Sequence, residues 1–298
     1  GFELVLSPRF ALDSNFAIIA SGENSKTFID QFPIDISAPI DNSPFFFQML
    51  RLKDVFNGSL WEQGKMTFNL KAVVMIGFLL IITFVFSMLC IVLPLVLKRK
   101  KVFQRTSWPL VLYFLSIGVG FMLIEISQMQ RLIVFLGNPI YSLSVVLFSL
   151  LLSSGLGSYL TRKIDMVQMR RSATRRLIFL LAVLVIFGLF TPQAVQLFYG
   201  ATTIIRITIA VIILFAIGIF MGMAFPLGMK IASIKSEHLT PLLWGVNGAA
   251  SVFASVLAVA IALSFNISTA FWTGVVFYIF ALITIIWASS KPTTETHR

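Results

Sequence analysis

The sequence predicts an all-α polytopic membrane protein, a bundle of about seven transmembrane helices preceded by a short α/β remnant of an upstream soluble domain. Three observations lead there. Hydrophobic residues make up 58% of the 298 residues and charged residues only 12%, with a mean hydropathy of +0.94, far from the soluble norm. Seven apolar segments, each near or above the roughly 20 residues that cross about 30 Å of hydrocarbon, follow one another from residue 72. Lysines and arginines collect in every second connection between them.

The net charge of +11 does not describe a nucleic-acid-binding face. Residues 1–66 hold eight acidic and five basic side chains, net −3, whereas residues 67–298 hold four and eighteen, net +14. A surplus confined to short loops between apolar segments is the positive-inside pattern and a contact for anionic lipid, so the expected partner is the bilayer. The single cysteine, Cys90, lies in an apolar run. That excludes a disulfide framework and a thiolate metal cluster, and the residue is expected as a small buried hydrophobe.

Three regions follow from the pattern: 1–66, an extramembrane remnant plus linker; 67–290, the transmembrane helical domain; and 291–298, a polar tail. The chain opens at Gly1 in mid-pattern with no signal-peptide signature, as expected of the C-terminal part of a longer protein. Phe16–Ala20 is short, apolar and flanked by turn formers, consistent with one strand. Ser25–Phe32 suits a helical turn or two. Pro33, Pro39 and Pro44 disfavour regular structure and imply an extended segment over 33–44. The run Phe45–Leu52 reads equally as a strand edge or an interfacial anchor. About sixty residues of this kind bury no independent core.

The apolar segments are expected at 72–97, 108–136, 140–161, 177–198, 203–229, 240–264 and 267–289. The second exceeds one crossing and must tilt or emerge. Lys98, Arg99, Lys100, Lys101 and Arg105 lie between the first and second. Arg162, Lys163, Arg170, Arg171, Arg175 and Arg176 lie between the third and fourth, and Lys230 and Lys235 between the fifth and sixth. The connections near 137–139, 198–203 and 265–268 hold no Lys or Arg. The alternation implies cytoplasmic basic loops and a cytoplasmic C-terminus, and seven crossings then place residues 1–66 outside.

The organising stretch is residues 118–161: a long apolar helix carrying Glu125, Gln128, Gln130 and Arg131, a Gly137-Asn138-Pro139 turn, and a second helix ending in Ser154-Gly155-Leu156-Gly157-Ser158. Glu125 lies 16 residues after Pro109, about 25 Å along the helix and so near the outer leaflet. Charges at this depth are rarely unpaired. Arg131 is six residues away and on a different face, so Arg206 is the expected partner of Glu125. Asn247, between Gly245 and Gly248, is suited to hydrogen-bond across helices or to face a cavity. Glu125, Gln128, Arg131, Arg206 and Asn247 form the candidate intramembrane polar site. Close helix packing is expected at Gly155 and Gly157, at the Gly218/Gly222 pair, at Gly245 and Gly248, and along Ala250, Ala254, Ala258 and Ala262 with Ser251 and Ser255 beside them. Pro226 bends the fifth helix. No GxGxxG after a strand, P-loop, HExxH or GxSxG occurs. His238 and His297 fall in a loop and the tail, so neither a catalytic residue nor a metal or cofactor ligand is assigned to this chain.

The runs IEISQMQRLIVFLGNPIYSLSVVLFSLLLSSGLGS, MGMAFPLGMK and LTPLLWGVNGAASVFASVLAVAIAL resemble the C-terminal membrane half of bacterial spermidine-synthase-like integral membrane proteins. In that family a Rossmann-type domain, similar to polyamine aminopropyltransferases and S-adenosylmethionine methyltransferases, is fused to membrane helices. Pro39–Leu52 resembles the family's TDDRPFFF-like junction, with Asn42 and Ser43 standing where that pattern has Asp and Arg. The resemblance covers roughly residues 35–290. It implies that this is a bacterial inner-membrane protein, that residues 1–66 end an upstream Rossmann-type domain, which would hold any S-adenosylmethionine-type nucleoside and the catalytic acids, and that this chain is not catalytic by itself. Such a nucleoside is expected on the cytosolic side. The loop charges place residues 1–66 outside, and they are the stronger argument.

Besides a purely structural scaffold, which needs no site at all, two functions are compatible with these features. One is a membrane module that anchors the upstream transferase-like domain and handles a lipophilic or polyamine substrate. The other is half of a secondary transporter with a buried Glu/Arg/Asn site.

Overall fold

Long helices dominate the computed structural model, which describes residues 6–7, 10–21, 25–32, 35–46, 68–97, 108–164, 169–235 and 239–290. The chain divides into two units: Gly1–Ile40 with Pro44–Met75, and Asp41–Ser43 with Ile76–Arg298. In the first, β1 (Leu6–Ser7) and β2 (Phe10–Ala11) pair antiparallel, Leu6 opposite Ala11. They are followed by α1 (Ser14–Ser21) and α2 (Ser25–Gln31). The strand expected at Phe16–Ala20 is therefore a helix. The Asp13 carboxylate accepts the Asn15 N–H at 2.9 Å, satisfying an orphan donor of the first turn. A five-residue apolar run has no period that would separate strand from helix, and the cap decides. Residues 35–39 have no regular structure. The run Phe45–Leu52 lies from Phe47 onward outside the described residues, as do His238 and His297.

The membrane helices are α3 (Phe68–Leu97), α4 (Trp108–Leu136), α5 (Pro139–Leu160), α6 (Met169–Leu197), α7 (Thr203–Lys235), α8 (Thr240–Ser264) and α9 (Ile267–Ser290). Among the described residues, seven helices are long and apolar enough to cross a membrane. The protein is an all-α polytopic membrane bundle. Two helices run past the apolar segments: α6 starts at Met169 and takes Arg170, Arg171, Arg175 and Arg176 into its first turns, and α7 continues through Lys230 to Lys235. Arginine and lysine are good helix formers, so a helix persists beyond the hydrocarbon that sets hydropathy limits.

Helix α4 is the centre, with 67% of its apolar stretch buried against 11% for α3. It packs on α5, α7, α8 and α9, while α5 pairs lengthwise with α7, and α6 packs on α7 and α9. The main core gathers Leu110, Phe114, Ile117 and Ile124 of α4 with Leu177, Leu184, Ile217, Leu227, Phe271 and Tyr278. The alanine stripe of α8 meets the same central helix: Ala250, Ala254 and Ala258 pack on Val119, Leu123 and Ile126, and Ala262 is fully buried below them.

The α4–α5 turn is set by local chemistry. Gly137 sits at φ +71°, a conformation that side chains rarely adopt. Asn138 then caps α5, its Oδ1 accepting the Ile140 and Tyr141 N–H groups at 2.9 and 3.3 Å, and Pro139 opens the helix. The buried Ser142 hydroxyl donates back to the Leu132 carbonyl at 2.9 Å, joining the two arms.

Helix α5 meets α7 almost backbone to backbone. A Cβ on Gly157 would strike the Ile219 carbonyl, one on Gly222 the Ser154 backbone, and one on Gly218 the Ser153 hydroxyl. Without hydrophobic drive between helices in lipid, such contact supplies the association energy. The glycines expected beside these behave otherwise. A Cβ on Gly155, Gly245 or Gly248 would meet nothing within 4 Å. Gly155 and Gly157 are two residues apart, about 200° around the helix, so only one can face α7. Cys90 also departs from expectation, being exposed on α3 rather than buried in a core. That helix lies at the bundle's edge, held to α8 by Ser87, whose hydroxyl donates to the Ala249 carbonyl at 2.8 Å, and by the edge-on Phe84–Phe253 ring pair.

Candidate functional site

Three places collect the polar groups of the bundle. The first is the end of the molecule that holds the connections without Lys or Arg. Arg131, near the end of α4 and only 6% exposed, donates from its guanidinium to the Ser268 hydroxyl at 2.9 Å. Ser268 in turn donates its hydroxyl and backbone N–H to Asn42 Oδ1, at 2.7 and 3.1 Å. The Asn42 carbonyl accepts the Ile267 N–H at 2.9 Å. The next two amides of α9 are taken by Asn266: its Oδ1 accepts the Thr269 N–H at 2.8 Å and its carbonyl accepts the Ala270 N–H at 3.3 Å. Three orphan N–H groups at the start of α9, those of Ile267, Ser268 and Thr269, are thus satisfied, two of them by a residue more than two hundred positions earlier, and the Ala270 N–H makes the first intrahelical bond. Asn42 stands in the Pro39–Leu52 junction. Its cap role was not readable from the sequence, and Asn266, a capping residue type just ahead of an apolar run, was the one available signal.

One and two turns inward on α4 lie Gln128 and Glu125. Gln128 is 1% exposed, with neither amide atom meeting a protein partner, and the second terminal nitrogen of Arg131 is likewise buried without one. Glu125 is half-buried and lies within electrostatic reach of Tyr278 on α9.

The expected Glu125–Arg206 ion pair does not form. Arg206 Nε donates to the Ala201 carbonyl at 3.0 Å, and a terminal guanidinium nitrogen donates to the Phe135 carbonyl at 2.9 Å. Phe135 is the next-to-last residue of α4, so its C=O has no intrahelical donor, and a cation there also meets the negative end of the helix dipole. Lys230 does the same at the other end of α7: its ammonium donates to the Thr161 and Arg162 carbonyls at 2.8 and 3.0 Å, just past α5. Helix α7 therefore clamps both ends of the α4–α5 hairpin with cations.

Asn247 belongs to neither group. Its Nδ2 donates to the Phe114 carbonyl at 3.0 Å, eleven residues and so about 16 Å along α4 from Glu125. The Ser251 hydroxyl reaches toward the Gly118 carbonyl at 3.4 Å. Gly118 is what permits this approach, since a Cβ there would lie 2.7 Å from the Asn247 carbonyl oxygen.

Asn247 and Ser251 line a cleft of about 470 Å³ built from α4, α5, α7, α8 and Tyr278 of α9. Its walls include Phe121, Met122, Leu151, Met221, Phe225 and Pro226, with Ser154 and Ser158 as further polar groups. Deep in the same region the buried Tyr113 hydroxyl donates to the Ala224 carbonyl at 2.7 Å, two residues before Pro226. The expected single polar site is thus three separate ones: Arg131, Gln128 and Glu125 follow one another at three-residue steps along α4, Arg206 caps that helix, and Asn247 faces the cleft. Ser268, Asn42 and Tyr278 are the members that sequence reasoning missed. Comparison with protein-family models, curated proteins and solved structures gave no match for the chain.

Proposed function

We propose that this chain is the membrane module of a spermidine-synthase-like protein of the bacterial inner membrane. It anchors a Rossmann-type, transferase-like domain that precedes it and handles a lipophilic substrate. The observation that carries this reading is the Asn42 cap. The junction that leads into the first membrane helix is tied by three hydrogen bonds to the start of the last one, two from Ser268 and one from Ile267 to Asn42, and Arg131 of α4 in turn holds Ser268. A chain that merely passed from a soluble domain into a bundle would need no such tie, and an anchor does. The loop charges put that junction outside and the C-terminus in the cytoplasm.

The transporter reading requires its charges to converge on one cavity. Glu125, Arg206 and Asn247 instead have separate surroundings, and the cations of α7 serve helix ends. Substrate handling then falls to the cleft, whose walls are mostly apolar.

The test uses the parent protein in native membranes together with purified residues 1–298. Tritiated adenosylmethionine, photo-crosslinked to both, is expected to label the parent upstream of Gly1 and to leave residues 1–298 unlabelled. A parent that takes no nucleoside, yet drives solute accumulation in sealed vesicles, overturns the proposal.

A further inference from the structure

We propose that the cleft is a binding site for a neutral single-chain amphiphile, a monoacylglycerol- or fatty-alcohol-type lipid, drawn sideways from the bilayer. The inference rests on the reading of the chain as a module that handles a lipophilic substrate, and it names the class.

Position comes first. The cleft walls run from the middle of the spans, at Ile117–Met122 of α4 and Asn247–Ser251 of α8, to Ser158 near the end of α5. The rim residue Leu151, 71% exposed, sits halfway along α5. α5 and α8 are not among the helices that pack along their lengths, so the cleft opens sideways between them at the depth of Leu151, in hydrocarbon. An apolar-walled space open at that depth fills with acyl or prenyl chain, because lipid is the surrounding solvent.

Charge decides the class. No Asp, Glu, Lys or Arg lines the cleft. A phosphate or a polyammonium entering it would meet no charged side chain in the lining, and an unpaired charge in hydrocarbon is costly. The polar groups present are neutral: Asn247, Ser251, Ser154, Ser158 and Tyr278. Asn247 spends one amide N–H on the Phe114 carbonyl. An amide has a second N–H and a carbonyl acceptor, and these suit a hydroxyl or ester group.

Size limits the chain number. At about 470 Å³ the cleft falls within the range of small-molecule sites, roughly 300–1,000 Å³. Along α5 it runs from Leu151 to Ser158, about 10 Å. That length receives a small head and the first carbons of one chain, the rest of which stays in the bilayer.

The experiment uses the purified protein in phosphatidylcholine nanodiscs with a diazirine-tagged monoacylglycerol, and reads crosslinked peptides by mass spectrometry. Labels are expected on the peptides holding Met221–Pro226 and Asn247–Ser251, displaced by untagged monoacylglycerol. Gly155→Phe fills the cleft at a position whose Cβ meets no atom within 4 Å, so it is expected to cut labelling at least five-fold with the melting temperature unchanged. Ser158→Leu, at the exposed far end, is the second blocking variant. Leu152→Phe, exposed outside the cleft, should leave labelling as it was. Equal labelling of the blocking variants, or labels spread over every lipid-facing helix, overturns the site. Equal labelling of the same peptides by a diazirine-tagged lysophosphatidylcholine or spermidine overturns the neutral class. Cleft labelling in a protein whose parent binds no nucleoside leaves the site standing and removes only the transferase reading.

Discussion

Truncating Asn42 separates a structural tie from a chance contact. In Asn42→Ala the main-chain carbonyl still accepts the Ile267 N–H, but the Oδ1 acceptor is lost to both groups of Ser268. Loss of a side-chain cap costs about 1 kcal/mol, within a range of roughly 0.5–2. The Ser268 hydroxyl, freed at its proton, adds up to about 1 kcal/mol if it finds no other acceptor. The sum, about 1–2 kcal/mol, lowers the melting temperature by about 2–6 °C in a chain of this size. Asn42→Asp keeps the acceptor and adds negative charge at a helix N-terminus, with Arg131 one residue beyond, so it should melt at or above the native protein. The assay is intrinsic-fluorescence melting in detergent, with hydrogen exchange followed on residues 267–270. Faster exchange there in Asn42→Ala, and not in Asn42→Asp, is expected. If Asn42→Ala melts with the native protein, or Asn42→Asp falls as far as Asn42→Ala, the capping argument is wrong.

Arg206→Gln strips donors from the Phe135 and Ala201 carbonyls and is expected to cost about 1–3 kcal/mol. Combined with Glu125→Gln in a double-mutant cycle, its coupling should be near zero, and a coupling of about 1 kcal/mol would restore the ion pair. Gly222→Leu drives a side chain into the Ser154 backbone and should destabilise by about 1–3 kcal/mol or more in detergent melts. Gly245→Leu, which meets open space, should be neutral or stabilise by up to about 1 kcal/mol, from helix propensity alone. Equal effects from these two would refute the assignment of which glycine faces pack.

The number and placement of the membrane helices were legible because hydrocarbon thickness sets how long an apolar run must be. Their ends were less so. Met169 begins α6 eight residues before the apolar segment, because Arg170–Arg176 leave the hydrocarbon without leaving the helix. The α4–α5 turn was readable from Gly137-Asn138-Pro139, each residue doing what its chemistry favours. Partners of charges were not readable. Arg206 had a carboxylate in the sequence to suggest, whereas its acceptors are backbone carbonyls whose positions exist only once α4 and α7 have packed. Spacing showed that small residues recur but not which way they face, hence the division between Gly157 and Gly155. The cap from Asn42 joins residues 226 positions apart, and nothing local marks it.

Impermeant-maleimide labelling of single cysteines in intact cells, on a Cys90→Ser background, tests the membrane arrangement most directly. Asp41→Cys sits at an exposed position beside Asn42, Gly200→Cys at an exposed position in a connection without Lys or Arg, and Lys163→Cys at an exposed position in a basic one. The first two should label in intact cells and the third only after permeabilisation. Labelling of Lys163→Cys in intact cells, or protection of Asp41→Cys until the cells are opened, would contradict seven crossings with the Asn42 junction outside.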